Sequence, residues 1–188
     1  GLQSFNFYST TAWLPTILIG YGYDSVFAGL MLSLVNLVSI VPAMLVPLLL
    51  DRVRRQSALT VVVSVAFFAA IGGFLLMPQL AVPWMVFLGL AQGAGLGLAL
   101  TFIVLRSPDS AHATKLSGMS QSWGYLFAAI GPLALGALRD LTSAWMVPLL
   151  LLLVMLVPQA ITSYLAGRPA LVGGSAARLE QSEGSHHD

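Results

Sequence analysis

Residues 145–165 read WMVPLLLLLVMLVPQAITSYL, without one Asp, Glu, Lys or Arg. A helix rising 1.5 Å per residue needs a run of about this length to cross about 30 Å of hydrocarbon. A transmembrane β-strand is half as long and alternates apolar with polar side chains, whereas Leu149–Val157 is almost continuously apolar. The rest of the 188-residue chain repeats the pattern. All 8 Lys and Arg and all 7 Asp and Glu lie between apolar runs, and they divide the chain into spans at about 2–20, 26–50, 57–77, 84–105, 117–138 and 145–165. The fold class is therefore all-α: a polytopic membrane protein with a transmembrane bundle over 1–165. The Gly-rich, polar segment 166–188 is expected to be a disordered cytoplasmic tail.

Composition agrees. The chain is 57% hydrophobic and 8% charged, with a mean hydropathy of +0.88, where a soluble domain is about a quarter charged. Basic and acidic residues nearly balance, which leaves no basic surface for nucleic acid. Cysteine is absent, so disulfides, thiolate metal sites and a Cys nucleophile are excluded. No Asp, Glu, His, Lys or Arg falls within a span, and no general base or nucleophile–base pair is available there. No enzyme, metal or cofactor is implied. His112 reads as a solvated loop residue.

Short connectors sort the charges by side. Arg52, Arg54, Arg55, Arg106, Lys115, Arg168 and Arg178 fall on one side and only Arg139 on the other, a positive-inside bias that predicts both chain ends cytoplasmic. Tyr21, Tyr23, Trp84 and Trp145 fall at the outer ends of spans, where amphipathic rings settle at the headgroups. The first span opens almost at residue 2, with no basic n-region before it. The chain is expected to be a fragment of a longer protein.

Polar side chains inside spans are the functional signal, because each costs free energy in hydrocarbon unless it meets a partner or water. In span one, Gln3, Asn6, Thr10 and Trp13 share a stripe roughly 80° wide. Two amides, a hydroxyl and an indole on one stripe suit the wall of a hydrated cavity. Span two aligns Gly29, Ser33, Asn36, Ile40, Ala43 and Pro47, a face of small residues for close helix approach, with Asn36 as interhelical glue. Span four carries a ladder of Gly89, Gly93 and Gly97 for tight packing, beside Gln92, which either packs or lines a cavity. In span five Ser117 is an expected N-cap, Gln121, Tyr125 and Ala128 share a face that Pro132 completes, and Pro132 should kink the helix. Spans three and six, the latter with Pro148 and Pro158 amid leucines, read as lipid-facing outer helices without ligand chemistry.

Six spans, cytoplasmic ends and a basic loop after the second span resemble one half of a major facilitator transporter. Asp51-Arg52-Val53-Arg54-Arg55 is similar to the superfamily's Gly-x-x-x-Asp-Arg-x-Gly-Arg-Arg signature, with Pro47 and Arg54 in place of its glycines. Such decay is usual after the eighth helix, so the resemblance is to the C-terminal half. Gly1–Tyr8, Ala12-Trp13-Leu14-Pro15, Gly89–Gly93 and Leu116–Ser122 resemble the cyanate permease and 2-nitroimidazole transporter family. The resemblance implies that spans one and four line a central cavity, two and five meet the other half, and three and six face lipid. It also implies an arginine in the first helix of the missing half.

These observations lead to one expectation: the C-terminal half of a secondary transporter of a small solute, such as a cyanate- or nitroimidazole-like compound, working by alternating access in the cell membrane. Its partners would be the solute, the missing N-terminal six-helix half and the lipid bilayer. Asn6, Thr10, Trp13 and Gln92 would contact solute. Gln121 and Tyr125 would stand at the boundary and serve either role. Asn36, Asp51, Arg52 and Arg55 would make the contact between halves. The alternatives are a free-standing six-span protein that dimerises, a membrane-embedded enzyme, which the missing buried ionisable groups oppose, and a channel, which would need a selectivity element.

Overall fold

The structure, a computed structural model, describes residues 1–50, 56–105, 107 and 110–167. Its long helices are α1 (Leu2–Gly20), α2 (Ser25–Leu50), α3 (Gln56–Leu76), α4 (Ala81–Leu105), α5 (Ser110–Thr142) and α6 (Met146–Ala166), with a single 3-10 turn at Pro78–Leu80. No strand occurs among the described residues. The segments Ser25–Leu50, Gln56–Leu76, Pro78–Leu105 and Met146–Ala166 are long and apolar enough to cross a membrane. α1, with 19 residues, and α5, with 33, also have the length of a span, but amides and hydroxyls dilute their apolar character.

Local chemistry sets the corners. Gly22 at φ +94° turns the chain after α1, a conformation that costs a glycine nothing. Asp24 Oδ1 then accepts from the backbone N–H of Val26 at 2.9 Å and of Phe27 at 3.0 Å, which caps the free donors of α2. α5 begins at Ser110, well before the expected span, so much of the connector after span four is helix. Ser117 is accordingly not an N-cap. It lies inside α5, where its hydroxyl accepts from Gln121 Nε2 at 2.9 Å. His112 likewise belongs to the first turn of α5 rather than to a loop.

Glycines decide which helices touch. α2 and α4 form the most extensive pair. A Cβ at Gly89 would come within 2.7 Å of the Val35 carbonyl oxygen, one at Gly97 within 3.1 Å of that of Ala43, and one at Gly93 would collide with that of Ser39. The ladder is therefore filled by the backbone of α2. α5 buries Gly124, Ala128, Gly131 and Leu135, and α1 packs on that stripe, with Ser9 and Phe5 against Gly131. α3 packs on α4 and α6, and its outer side exposes Val61, Val62, Val65 and Phe68. The larger core unites Leu14, Ile17, Leu18, Phe67, Phe74, Leu88, Leu152 and their neighbours. A smaller one joins Val46, Leu50, Val63, Ala94, Leu98 and Phe102 at the end of the bundle where α1 begins. Ala166 closes α6, and the expected tail beyond Gly167 lies outside the described residues.

Candidate functional site

α1 has two sides, and its polar stripe is on the inner one. Asn6 is 0% and Thr10 3% exposed. The Asn6 amide donates through Nδ2 to Gln159 Oε1 of α6 at 2.7 Å, and the Thr10 hydroxyl donates to the Asn6 carbonyl one turn back. Trp13 Nε1 donates to the carbonyl of Pro132 in α5 at 2.8 Å. Its ring lies 5.5 Å from that of Trp145, over which the Arg139 guanidinium sits at 5.6 Å. The outer side of α1 exposes Tyr8, Ala12, Thr16 and Ile19. Asn6 and Thr10 thus do not reach the exposed side of α1. The helix packs its polar stripe inward because Gln159 and the backbone of α5 supply hydrogen-bond partners there.

Gln92 is 1% exposed, and neither atom of its amide has a hydrogen-bond partner. Asn6 Oδ1, Ser9 Oγ and Thr11 Oγ1 are in the same condition. Buried polar atoms like these are ordinarily met by ordered water or by a ligand, since each costs about 1–3 kcal/mol when left unpaired.

The stripe does end at a cavity. A space of about 790 Å³ opens at the end of the bundle where α1 begins and α6 finishes. Gln3 and Leu2 of α1, Thr60 and Ser64 of α3, Phe102 of α4, Trp123 of α5 and Gln159 of α6 are among its walls. No side chain among the described lining residues carries a charge.

The remaining expected residues are dispersed. Gln121 and Tyr125 are exposed on α5 while Ala128 on the same face is buried, and the Tyr125 ring meets that of Tyr8 edge-on at 6.4 Å. Asn36 is exposed on α2 and donates to the Leu32 carbonyl of its own helix at 2.9 Å. Asp51, Arg52 and Arg55 lie outside the described residues. At the opposite end of the bundle, burial against Phe74 pushes the Tyr21 phenol above its ordinary pKa.

The sequence reading of spans three and six as lipid-facing, without ligand chemistry, passed over Thr60, Ser64 and Gln159, which are buried and line the cavity, and it did not single out Tyr8 or Thr16. A signal existed for Gln159. It is a lone amide deep in an apolar run, the feature that singled out Gln92.

Residues 2–132 match the family model of the Major Facilitator Superfamily. The chain belongs to that superfamily. The chain is 42% identical over 170 residues to the "Uncharacterized transporter YycB" of Bacillus subtilis (strain 168), covering 89% of this chain and 42% of the relative. It is 38% identical to the "2-nitroimidazole transporter" of Escherichia coli (strain K12), over 89% of this chain and 43% of the relative. It is 28% identical to the "Cyanate transport protein CynX" of the same bacterium, over 78% and 38%. This major facilitator chain thus spans less than half the length of each of these relatives. No solved structure gives a significant match. The superfamily and these relatives make it a multi-pass membrane protein of transporter type, not an enzyme.

Proposed function

We propose that the chain is the C-terminal six-helix half of a secondary transporter that moves a small planar solute by alternating access. The observation that carries this reading is an unfilled helix face. Gly29, Ser33, Asn36 and Ile40 of α2 are exposed, and nothing lies within 4 Å of a Cβ built at Gly29. The same kind of stripe on α4 is filled by a neighbouring backbone. Small and polar side chains give lipid little to pack against but let a second helix approach closely. A second six-helix bundle is the occupant that fits, because the matched relatives are more than twice as long as the matched segment.

In this reading the two halves rock about a site near the bilayer midplane. Tyr8 and Thr16 of α1, with Tyr125 and Gln121 of α5, offer hydroxyls, an amide and ring faces toward the other half. Asn6, Thr10, Trp13 and Gln92 act from behind, as a polar layer that holds α1 in place and stores hydrogen-bonding capacity. Asp51, Arg52 and Arg55, which follow α2, contact helix ends of the other half and favour one state of the cycle. Both ends of the chain face the cytoplasm. The solute belongs to the class named for the relatives, a 2-nitroimidazole or cyanate. The complete gene product in proteoliposomes is expected to take up one of these, and the 188-residue chain alone neither. Uptake by the chain alone would overturn the half assignment.

A further inference from the structure

The cavity at the end of the bundle where α1 begins is a half-open space lined by α1, α3, α4, α5 and α6, and its α1 wall is Leu2 and Gln3 and not the side that carries Tyr8 and Thr16. We propose that this cavity is a separate binding site for a neutral aromatic molecule with one hydrogen-bonding group.

Size comes first. About 790 Å³ is within the range of small-molecule pockets and ample for a substituted ring. The walls set the body of the ligand. Phe102 of α4 and the exposed Trp123 and Phe127 of α5 contribute rings to the lining, and Leu98 and Val63 add aliphatic surface. Offset or edge-on ring contacts are the favourable packing for such a lining.

Polar groups then narrow the class. Gln159 is 95% buried by virtue of its 5% exposure, yet it lines the cavity. Its Oε1 is taken by Asn6 at 2.7 Å, which orients the amide and leaves its N–H groups for an occupant. Gln3 also lines the cavity, beside Gly95, where the missing side chain gives the amide room. An alkyl chain would leave both amides without a partner, at a cost that a hydrogen-bonding ligand avoids. A charged molecule would be stripped of water with no opposite charge among the described lining side chains. A neutral ring whose one polar group serves both Gln159 and Gln3 fits this lining.

The test uses the complete gene product in lipid nanodiscs and 4-azidobenzamide, a neutral aryl azide, as photolabel. Peptide mapping is expected to find adducts on α4 near Phe102 and on α5 near Trp123, removed by excess 4-nitrobenzamide. Ala99→Trp from α4 and Ser120→Phe from α5 fill the cavity from two different helices, and each should remove the labelling. The two variants guard against a folding defect in either. Gln3→Leu should weaken competition by 4-nitrobenzamide about tenfold, the size of one neutral hydrogen bond. Adducts confined to the Tyr8 side of α1, no competable adducts, or labelling suppressed by added phospholipid but not by 4-nitrobenzamide would each overturn the proposal. The last result would assign the space to an acyl chain.

Discussion

Asn6 and Gln159 lie 153 positions apart and share one hydrogen bond in the bundle interior. A single substitution, Asn6→Leu or Gln159→Leu, leaves one buried amide without its partner and should cost about 1–2 kcal/mol. The double substitution removes both polar groups and should recover part of that loss. A double-mutant cycle read by thermal unfolding in detergent checks this, and strict additivity would mean that the two amides do not interact. The same geometry changes what transport assays should read. Asn6→Ala should lower folded abundance together with uptake, whereas Thr16→Val and Tyr8→Phe, on the exposed side of α1, should reduce uptake at normal abundance. Val154→Ala, on the exposed side of α6, should alter neither. Normal uptake in both exposed-side variants would remove α1 from the solute path.

At the scale of the helix, α2 and α4 test the packing argument most sharply. Gly93→Ala would drive a methyl group into the Ser39 carbonyl and should separate the pair, with a loss of about 1–3 kcal/mol. Gly72→Ala, in α3, meets nothing within 4 Å and should be neutral or slightly stabilising. Thermal stability of the two variants compared with the parent decides the matter, and equal effects would mean that the close approach is not required. α5 shows how a periodic pattern can be divided. Gln121, Tyr125 and Ala128 read as one face, yet packing on α1 buries Ala128 and leaves the other two exposed. The cause is Gly124 and Gly131, which admit the surface of α1 on the neighbouring side.

For the whole molecule, orientation and completeness are the measurable properties. The basic residues between spans predict that Arg54→Cys is shielded and Gln79→Cys is labelled by an impermeant maleimide in intact cells. The reverse pattern would invert the topology. The interior of this chain offers an anion only amides, hydroxyls, indole N–H groups and helix ends, and a desolvated anion needs more than these. The resemblance to major facilitator transporters implies that an arginine in the first helix of the other half supplies the charge. Its replacement by glutamine in the complete gene product should abolish uptake of an anionic solute and leave folding intact.

The amino-acid sequence alone carried the membrane class and the helical content, because hydropathy is a local sum over about twenty residues, and four of the helices are long and apolar enough to cross a membrane. It also carried the motifs of the superfamily that the comparison then matched over residues 2–132. It did not settle which way the polar stripe of α1 points. A stripe of amides has the same spacing whether it faces water, solute or another helix, and only the arrival of Gln159 from α6 turned Asn6 inward. Nor did it tell which small-residue face is already filled. The ladder of α4 is occupied by the backbone of α2 while Gly29, Ser33 and Asn36 stay open, a distinction made by the angle at which two helices meet and not by the residues of either. The cavity at the end of the bundle where α1 begins is of the same kind. Its walls come from five helices, and no local pattern in any one of them announces the space they leave.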